Sequence, residues 1–287
     1  MQKFTALLAT GLLIATPAQA DWSAAAQAAA RYSDNVGNAG DSEYKRSDEI
    51  IAARLSLFDV LPLGSAYLLS AGGDVGGQWF DRLSGLRNGS IDGALSLRRR
   101  WGLGAFAPWV RAALSVSRTE YDLSLRNSTG YRASLSGGRR LDGHVNVWVD
   151  YTYEHREAKI TGEEVPGFSA DVFSGNAQSL GVTVDFTPLN RVFLSSGIAA
   201  RRGDVQSTSE ADSGVYFASR AIVEDLAFGR EWYTYRLIGN SYTLRAGAAY
   251  QLTEHSLLSL DVQHARTYAG GYFYRVTVPE VSWDYRF

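Results

Sequence analysis

The sequence predicts an all-β fold, a transmembrane antiparallel up-and-down β-barrel of twelve strands with short periplasmic turns and long extracellular loops. Three observations predict it. Apolar and polar residues alternate, connections alternate between short and long, and aromatic residues flank the apolar stretches. Each has a physical cause, because a barrel strand faces lipid on one side and water on the other, and a membrane has two polar boundaries.

The alternation has a period of two residues. Leu180, Val182 and Val184 are separated by Gly181 and Thr183, and the same pattern occurs at 145–154 and 258–263. Successive strand side chains point to opposite faces, so one face is apolar and the other polar. A water-soluble sandwich gives the same alternation. The candidate strands run to roughly ten to fifteen residues, whereas soluble strands average about five or six, which favours the barrel.

The connections between candidate strands alternate strictly in length. Tight turns are predicted at 62–64, 102–104, 141–143, 187–190 and 253–254, and longer polar links at 35–46, 81–89, 122–130, 158–175, 204–232 and 269–271. Twelve strands lie between them, at 22–34, 48–60, 65–80, 90–101, 106–121, 130–140, 144–157, 176–187, 191–203, 233–251, 255–268 and 272–287. An even strand number with turns and loops at opposite ends is typical of outer-membrane barrels.

Aromatic residues are predicted to form two girdles at the membrane boundaries. Near the turns lie Trp22, Phe58, Trp101, Phe106, Phe186, Tyr250, Trp283 and Tyr285. Near the loops lie Tyr32, Trp79, Tyr121, Tyr131, Tyr151, Tyr153, Tyr233, Tyr235, Tyr268 and Tyr272. Amphipathic rings collect at lipid–water interfaces, so two such sets indicate an apolar band between them.

The N-terminus predicts export and divides the chain into a signal peptide at 1–20 and a barrel domain at 21–287. Lys3 supplies a positive charge, residues 6–15 are apolar, and Ala18 and Ala20 form a small-residue cleavage site. The sequence contains no cysteine, which excludes disulfides and thiolate chemistry.

The last seven residues carry a family resemblance. Val281, Trp283, Tyr285 and Phe287 stand at every second position up to the end of the chain. This segment resembles the C-terminal signal of Gram-negative outer-membrane β-barrels, and 32–36 and 202–205 resemble stretches of porin-like barrels of unassigned function. The resemblance implies a location in the cell outer membrane, contact with the lipid bilayer and lipopolysaccharide, and recognition of Phe287 by the barrel-insertion machinery.

If the apolar face meets lipid, the charged residues select the interior, because a charge at mid-bilayer costs about 2–4 kcal/mol. Twelve residues are predicted to line a pore: Arg54, Asp74, Asp92, Arg98, Arg111, Arg132, Asp150, Glu154, Asp185, Arg201, Arg245 and Asp261. Both signs are present. The sequence therefore predicts a channel giving passive or weakly selective passage to small polar or charged solutes. The alternative is a closed, ion-paired barrel with a structural or surface-interaction and assembly role.

The sequence lacks the residue patterns that other classes of function require. His155 and His264 have no serine two positions on, and no two histidines have metal-ligand spacing, so neither an enzyme nor a metal site is expected. No cofactor motif is present. The formal net charge of −2, with dispersed basic residues, argues against nucleic acid as a partner.

The longest link, 204–232, is predicted to contain two helical turns over 219–228, with Ile222 and Leu226 one turn apart. Links of this length are uncommon and usually have a function. This link is either a constriction or lid at the mouth of the barrel, or an ordered surface loop.

Overall fold

The computed structural model describes residues 22–158, 165–211 and 213–287, so the predicted signal peptide at 1–20 lies outside the described residues. This part forms one antiparallel sheet. Its strands are β1 (Ser23–Ser33), β2 (Asp48–Leu63), β3 (Tyr67–Phe80), β4 (Asn88–Arg100), β5 (Trp109–Tyr121), β6 (Ser128–Arg140), β7 (Val145–Ala158), β8 (Gly175–Leu189), β9 (Val192–Glu210), β10 (Ala221–Glu224), β11 (Trp232–Gln251), β12 (Ser256–Ala269) and β13 (Tyr272–Arg286).

Twelve of these strands close into a barrel. Each pairs with the next along the chain, β11 pairs with β9 past the short β10, and β1 pairs with β13. Closure leaves no free strand edge, which a membrane-spanning sheet requires. The predicted twelve-strand barrel is therefore confirmed. A soluble sandwich is ruled out, because the described strands form a single sheet with no second sheet to pack against.

The outer face of the barrel is apolar. Val182 on β8 pairs laterally with Val149 on β7 and Ile198 on β9, and all three side chains are exposed. The next residue, Thr183, points to the opposite face. Large hydrophobic side chains exposed in this way on strand after strand form the lipid-facing belt of a transmembrane barrel.

The two ends of the barrel differ. Short turns connect the strands at the periplasmic end; in the β6–β7 turn, Asp142 accepts backbone hydrogen bonds from His144 (2.6 Å) and Val145 (2.8 Å), which lower the pKa of its carboxyl. Six connections stand at the extracellular end: L1 (34–47), L2 (81–87), L3 (122–127), L4 (159–174), L5 (211–231) and L6 (270–271). L1, L4 and L5 are long, but L6 is a two-residue turn and the periplasmic β4–β5 connection at 101–108 is longer than L2 or L3, so connection length does not alternate strictly. Among the residues that the structure describes, no helix is long and apolar enough to cross a membrane.

The predicted strand bounds are close except at β9. This strand continues to Glu210 rather than ending at 203, and it pairs with β11 over its whole length. The added residues Ser207, Thr208 and Ser209 are polar but buried beneath loops. Thr208 shares a hydroxyl hydrogen bond of 2.8 Å with Thr234 on β11. The β9–β11 hairpin therefore rises above its neighbours on the extracellular side.

Candidate functional site: the lumen and its lid

The structure places all twelve predicted pore-lining residues on the inner face of the barrel. Each stands in strand alternation with exposed apolar residues, as Arg54 does with Leu55 and Arg98 with Leu97. Arg31, Arg100, Arg140 and Glu280 share this face, although the sequence prediction did not include them. Their alternation with the apolar residues of the same strand was the signal that could have identified them.

Some lumen charges neutralise each other across neighbouring strands. Arg132 forms an ion pair of 2.8 Å with Glu154, and Arg245 forms one of 2.9 Å with Asp261. The other eight predicted residues have no ion pair within 4.0 Å in the described part of the chain: Arg54, Asp74, Asp92, Arg98, Arg111, Asp150, Asp185 and Arg201. The interior is therefore only partly a salt-bridge network.

The densest positive charge lies on β4 and β5 towards the periplasmic end. Arg98 and Arg111 are direct register partners. The guanidinium of Arg98 lies 4.7 Å from the centre of the Trp109 ring, which supports it by a cation–π contact. No carboxylate among the described residues forms an ion pair within 4.0 Å with either arginine, so the two positive charges stand next to each other without a direct partner.

Two cavities open along the inner wall. One, of about 530 Å³, is lined by Trp148, Thr183, Asp185, Arg245 and Asp261 among others. The second, of about 580 Å³, is lined by Ser56, Asp74, Arg98, Trp109 and Arg111 among others. Each is large enough for a small polar molecule. The barrel interior therefore holds space bordered by both signs of charge.

Loop L5 forms a lid over the extracellular mouth. It contains a short helix, α1 (Ser213–Ala218), followed by β10, which pairs with β11. The predicted helix over 219–228 is wrong. Ile222 is buried and its register partner is Tyr235, whereas Leu226, placed one helical turn later, is 58% exposed. Tertiary pairing with β11 has overridden the local helical spacing.

The lid touches the other extracellular loops from all sides. Ser169 of L4 bridges to Ala221 of the lid. A Cβ added to Gly85 of L2 would lie 2.9 Å from Ala227, and one added to Gly37 of L1 would lie 3.1 Å from the Phe228 ring. These contacts leave little freedom for the lid to shift as a surface loop would.

The buried apolar core of the protein lies in this lid region. Three clusters pack the lid against L1 to L4 and the tops of β11 and β13. Their members include Val172, Phe173, Ala221, Val223, Leu125, Val215, Ile222, Tyr235, Leu237, Tyr274, Ile50, Phe80 and Leu86. Of the two interpretations left open by the sequence, these contacts favour the lid.

A buried ion pair fastens the lid to L3. Arg126 donates to Asp225, whose side chain is fully buried, and Asp225 also accepts a hydrogen bond of 2.7 Å from the hydroxyl of Thr234. The guanidinium of Arg126 lies 4.6 Å from the Phe173 ring centre. We call this Arg126–Asp225 contact the latch.

A second arginine ties L4 to the raised hairpin. Arg236 on β11 approaches Asp171 at 3.5 Å and Asp204 at 4.0 Å, and donates to the Ser174 carbonyl at 3.1 Å. These contacts pair the charge of a side chain that is only about one-fifth exposed, although its buried Nε has no hydrogen-bond partner among the described residues. The extracellular cap is thus held by charge pairs as well as apolar packing.

The four histidines do not assemble into a site. His144 and His255 lie at periplasmic turns, and His264 points outward and contacts the Thr277 hydroxyl at 3.0 Å. Among the described residues, no three His, Asp or Glu side chains are grouped closely enough to hold a metal ion.

Comparison with solved structures identifies the fold. An outer-membrane channel from Pseudomonas putida F1 has a TM-score of 0.61 at 10% identity, covering 95% of this chain and 97% of that one. The KdgM porin in complex with disordered oligogalacturonate has a TM-score of 0.47 at 11% identity, covering 91% and 98%. The outer membrane channel DcaP of Acinetobacter baumannii has a TM-score of 0.45 at 10% identity, covering 93% and 97%.

The chain has the fold of an outer-membrane porin-like β-barrel. Its closed sheet and apolar outer belt place it in the cell outer membrane. No protein-family model matches the sequence, and no curated protein matches it.

Proposed function

We propose that this protein is an outer-membrane channel for small polar or charged solutes, with the lid controlling entry from outside. The observation that carries the proposal is a lumen with unpaired charges and open space. Eight of its predicted charged residues lack ion-pair partners in the described chain, and cavities of about 530 and 580 Å³ border them. Twelve strands enclose more room than the eight whose interior side chains fill.

A closed structural barrel is the alternative, and its interior charges would be expected to neutralise one another. Leaving a charge unpaired in a dry interior is costly, so such a barrel would pair them. The unpaired Arg98 and Arg111, side by side, fit a water-filled interior instead. The likeness to an outer-membrane channel of Pseudomonas putida F1 supports the same choice.

The packed lid defines where the barrier to passage lies. Its core is at the extracellular mouth, whereas the cavities reach the periplasmic half of the lumen. We therefore propose that movement of the lid, rather than rearrangement of the barrel, limits conduction. The proposed passage is passive or weakly selective.

Neutralising Arg98 tests the path directly. Arg98→Gln removes an inward charge and should lower the anion-to-cation permeability ratio, read from the reversal potential in a salt gradient across a planar bilayer. Arg99→Gln is the matched control, because Arg99 points outward between the rings of Tyr67 and Trp101. An equal effect of the two substitutions, or none from Arg98→Gln, would show that the conducting path does not pass Arg98.

We also propose that Phe287 is recognised by the insertion machinery during assembly. Its side chain is 70% exposed in the folded barrel, with its ring centre 5.1 Å from that of Tyr285, and its backbone N–H donates to the Ala24 carbonyl at 3.0 Å. Phe287→Ala should therefore leave refolding in detergent unchanged but sharply reduce the amount of folded protein in outer membranes. Heat-modifiable migration on gels measures both, and equal loss in detergent would mean that the ring stabilises the fold instead.

A further inference from the structure

Two arginines stand side by side on the lipid-facing surface near the extracellular end. Arg266 on β12 and Arg275 on β13 are direct register partners, and both side chains are exposed. They share their face with Leu260 and Val262, which lie lower in the apolar belt. Directly above them is the pair Tyr268 and Phe273, whose ring centres are 5.0 Å apart.

Their pairing is electrostatically unfavourable as it stands. Like charges directly opposite each other on adjacent strands repel. No carboxylate among the described residues lies within 4.0 Å of either guanidinium. Arg266 donates at 3.3 Å to His264, and the nearby Asp34 carboxylate accepts the backbone N–H of Thr277 at 2.8 Å. Neither cation therefore has an ion-pair partner among the residues that the structure describes.

Another outward arginine shows the contrast. Arg118 on β5 also faces outward near the extracellular end, and it has an ion pair of 3.5 Å with Glu120 and a hydrogen bond of 3.2 Å to the Thr129 hydroxyl. Within the described part of the chain, Arg118 therefore has a carboxylate partner, whereas Arg266 and Arg275 have none. The two arginines without a carboxylate partner are therefore suited to bind an anion from outside the chain.

The height of the pair fits a lipid headgroup. Eight residues separate Arg266 from Leu258, which pairs with Trp283 in the periplasmic girdle. At about 3.3 Å per residue and a tilt of about 40°, the pair stands roughly 20 Å above that girdle, near the top of an apolar band about 25 Å tall. The phosphate groups of outer-leaflet lipids lie just above this band, within reach of long arginine side chains that extend towards the interface.

We infer that Arg266 and Arg275 form a binding site for a phosphate group of an outer-leaflet glycolipid of the lipopolysaccharide type. Paired guanidinium groups bind phosphate with several charge-assisted hydrogen bonds. The exposed rings of Tyr242, Tyr268 and Phe273 flank the site and would contact the lipid's sugars and acyl chains. Arg202 on β9 extends the basic surface beyond Asn240.

The test uses the full barrel refolded in detergent and native mass spectrometry to count bound lipid. Diphosphorylated lipid A is the probe, and dephosphorylated lipid A and inorganic phosphate are the comparison ligands. Arg266→Gln with Arg275→Gln should weaken binding of the diphosphorylated lipid by about tenfold or more. The matched control, Arg118→Gln, should leave binding unchanged, and Arg266→Lys with Arg275→Lys should retain most of it.

Equal binding of phosphorylated and dephosphorylated lipid would overturn the site, as would an unchanged affinity in the double glutamine variant. Displacement of the lipid by millimolar inorganic phosphate would show an anion site that does not recognise the lipid. Heat-modifiable migration verifies folding, and the single Arg275→Gln variant provides the same reading if the double variant does not refold. Conductance should be unaffected by these substitutions, which separates this inference from the proposed channel.

Discussion

Replacing Arg126 by glutamine is expected to release the lid and to increase the conductance of the protein in a planar bilayer. Asp225 is fully buried, and Arg126 is the partner of its charge. Breaking a buried ion pair by removing one member typically costs about 3–5 kcal/mol, because a buried charge is left uncompensated. The barrel does not depend on this contact, so the loss should fall on the lid.

Trypsin cleavage within the lid measures its release independently. Arg220 and Arg230 are cleavage points on either side of β10, and cutting there requires the lid to open locally. Arg126→Gln should accelerate cleavage. Glu224→Gln is the matched control in the same segment, because Glu224 is exposed and, among the described residues, its carboxylate accepts a hydrogen bond only from the backbone N–H of Glu231.

Removing both charges of the latch should destabilise the lid less than removing one of them. In the Arg126→Gln, Asp225→Asn double variant no unpaired charge remains, so its cleavage rate should lie between those of the native protein and Arg126→Gln. Faster cleavage in the double variant than in the single one would contradict the latch. So would native cleavage and conductance in Arg126→Gln.

Placing an arginine at position 182 is expected to lower the free energy of unfolding by about 2–4 kcal/mol. Val182 points into lipid from the middle of β8, between Val149 and Ile198. A guanidinium there must leave water for hydrocarbon or deform the bilayer. Denaturant titration of the protein refolded in lipid vesicles measures the loss.

The neighbouring position provides the control. Thr183 points inward and lines the cavity of about 530 Å³, which has room for a longer side chain. Thr183→Arg should therefore cost less than about 1 kcal/mol, since lumen substitutions meet water. Equal destabilisation by the two substitutions would mean that the two faces of β8 do not meet different solvents.

Much of the barrel could be predicted from the sequence because its main determinant is local. Alternation assigns each strand residue to a face, and turn and loop lengths set the strand number, so Arg98 and Asp185 could be placed inward without coordinates. Their pairing could not be predicted. Arg132 meets Glu154 and Arg98 meets Arg111 because of the register between strands, which alternation alone does not specify.

The lid shows what local patterns miss. Ile222 and Val223 are apolar residues in a long link, which was the available signal, but their partners lie in other loops far along the chain. The sequence prediction ends this strand at 203, and Ser207, Thr208 and Ser209 beyond it are polar. Their burial depends on hydroxyl pairing and on loops that cover them.

Single-channel recording of the refolded, heat-modifiable protein in a planar bilayer tests the proposed channel most directly. A polar lumen beneath a movable lid predicts discrete conductance steps, small in the native protein and larger or more frequent in Arg126→Gln. Silence from both proteins, with correct folding shown on gels, would contradict a conducting lumen.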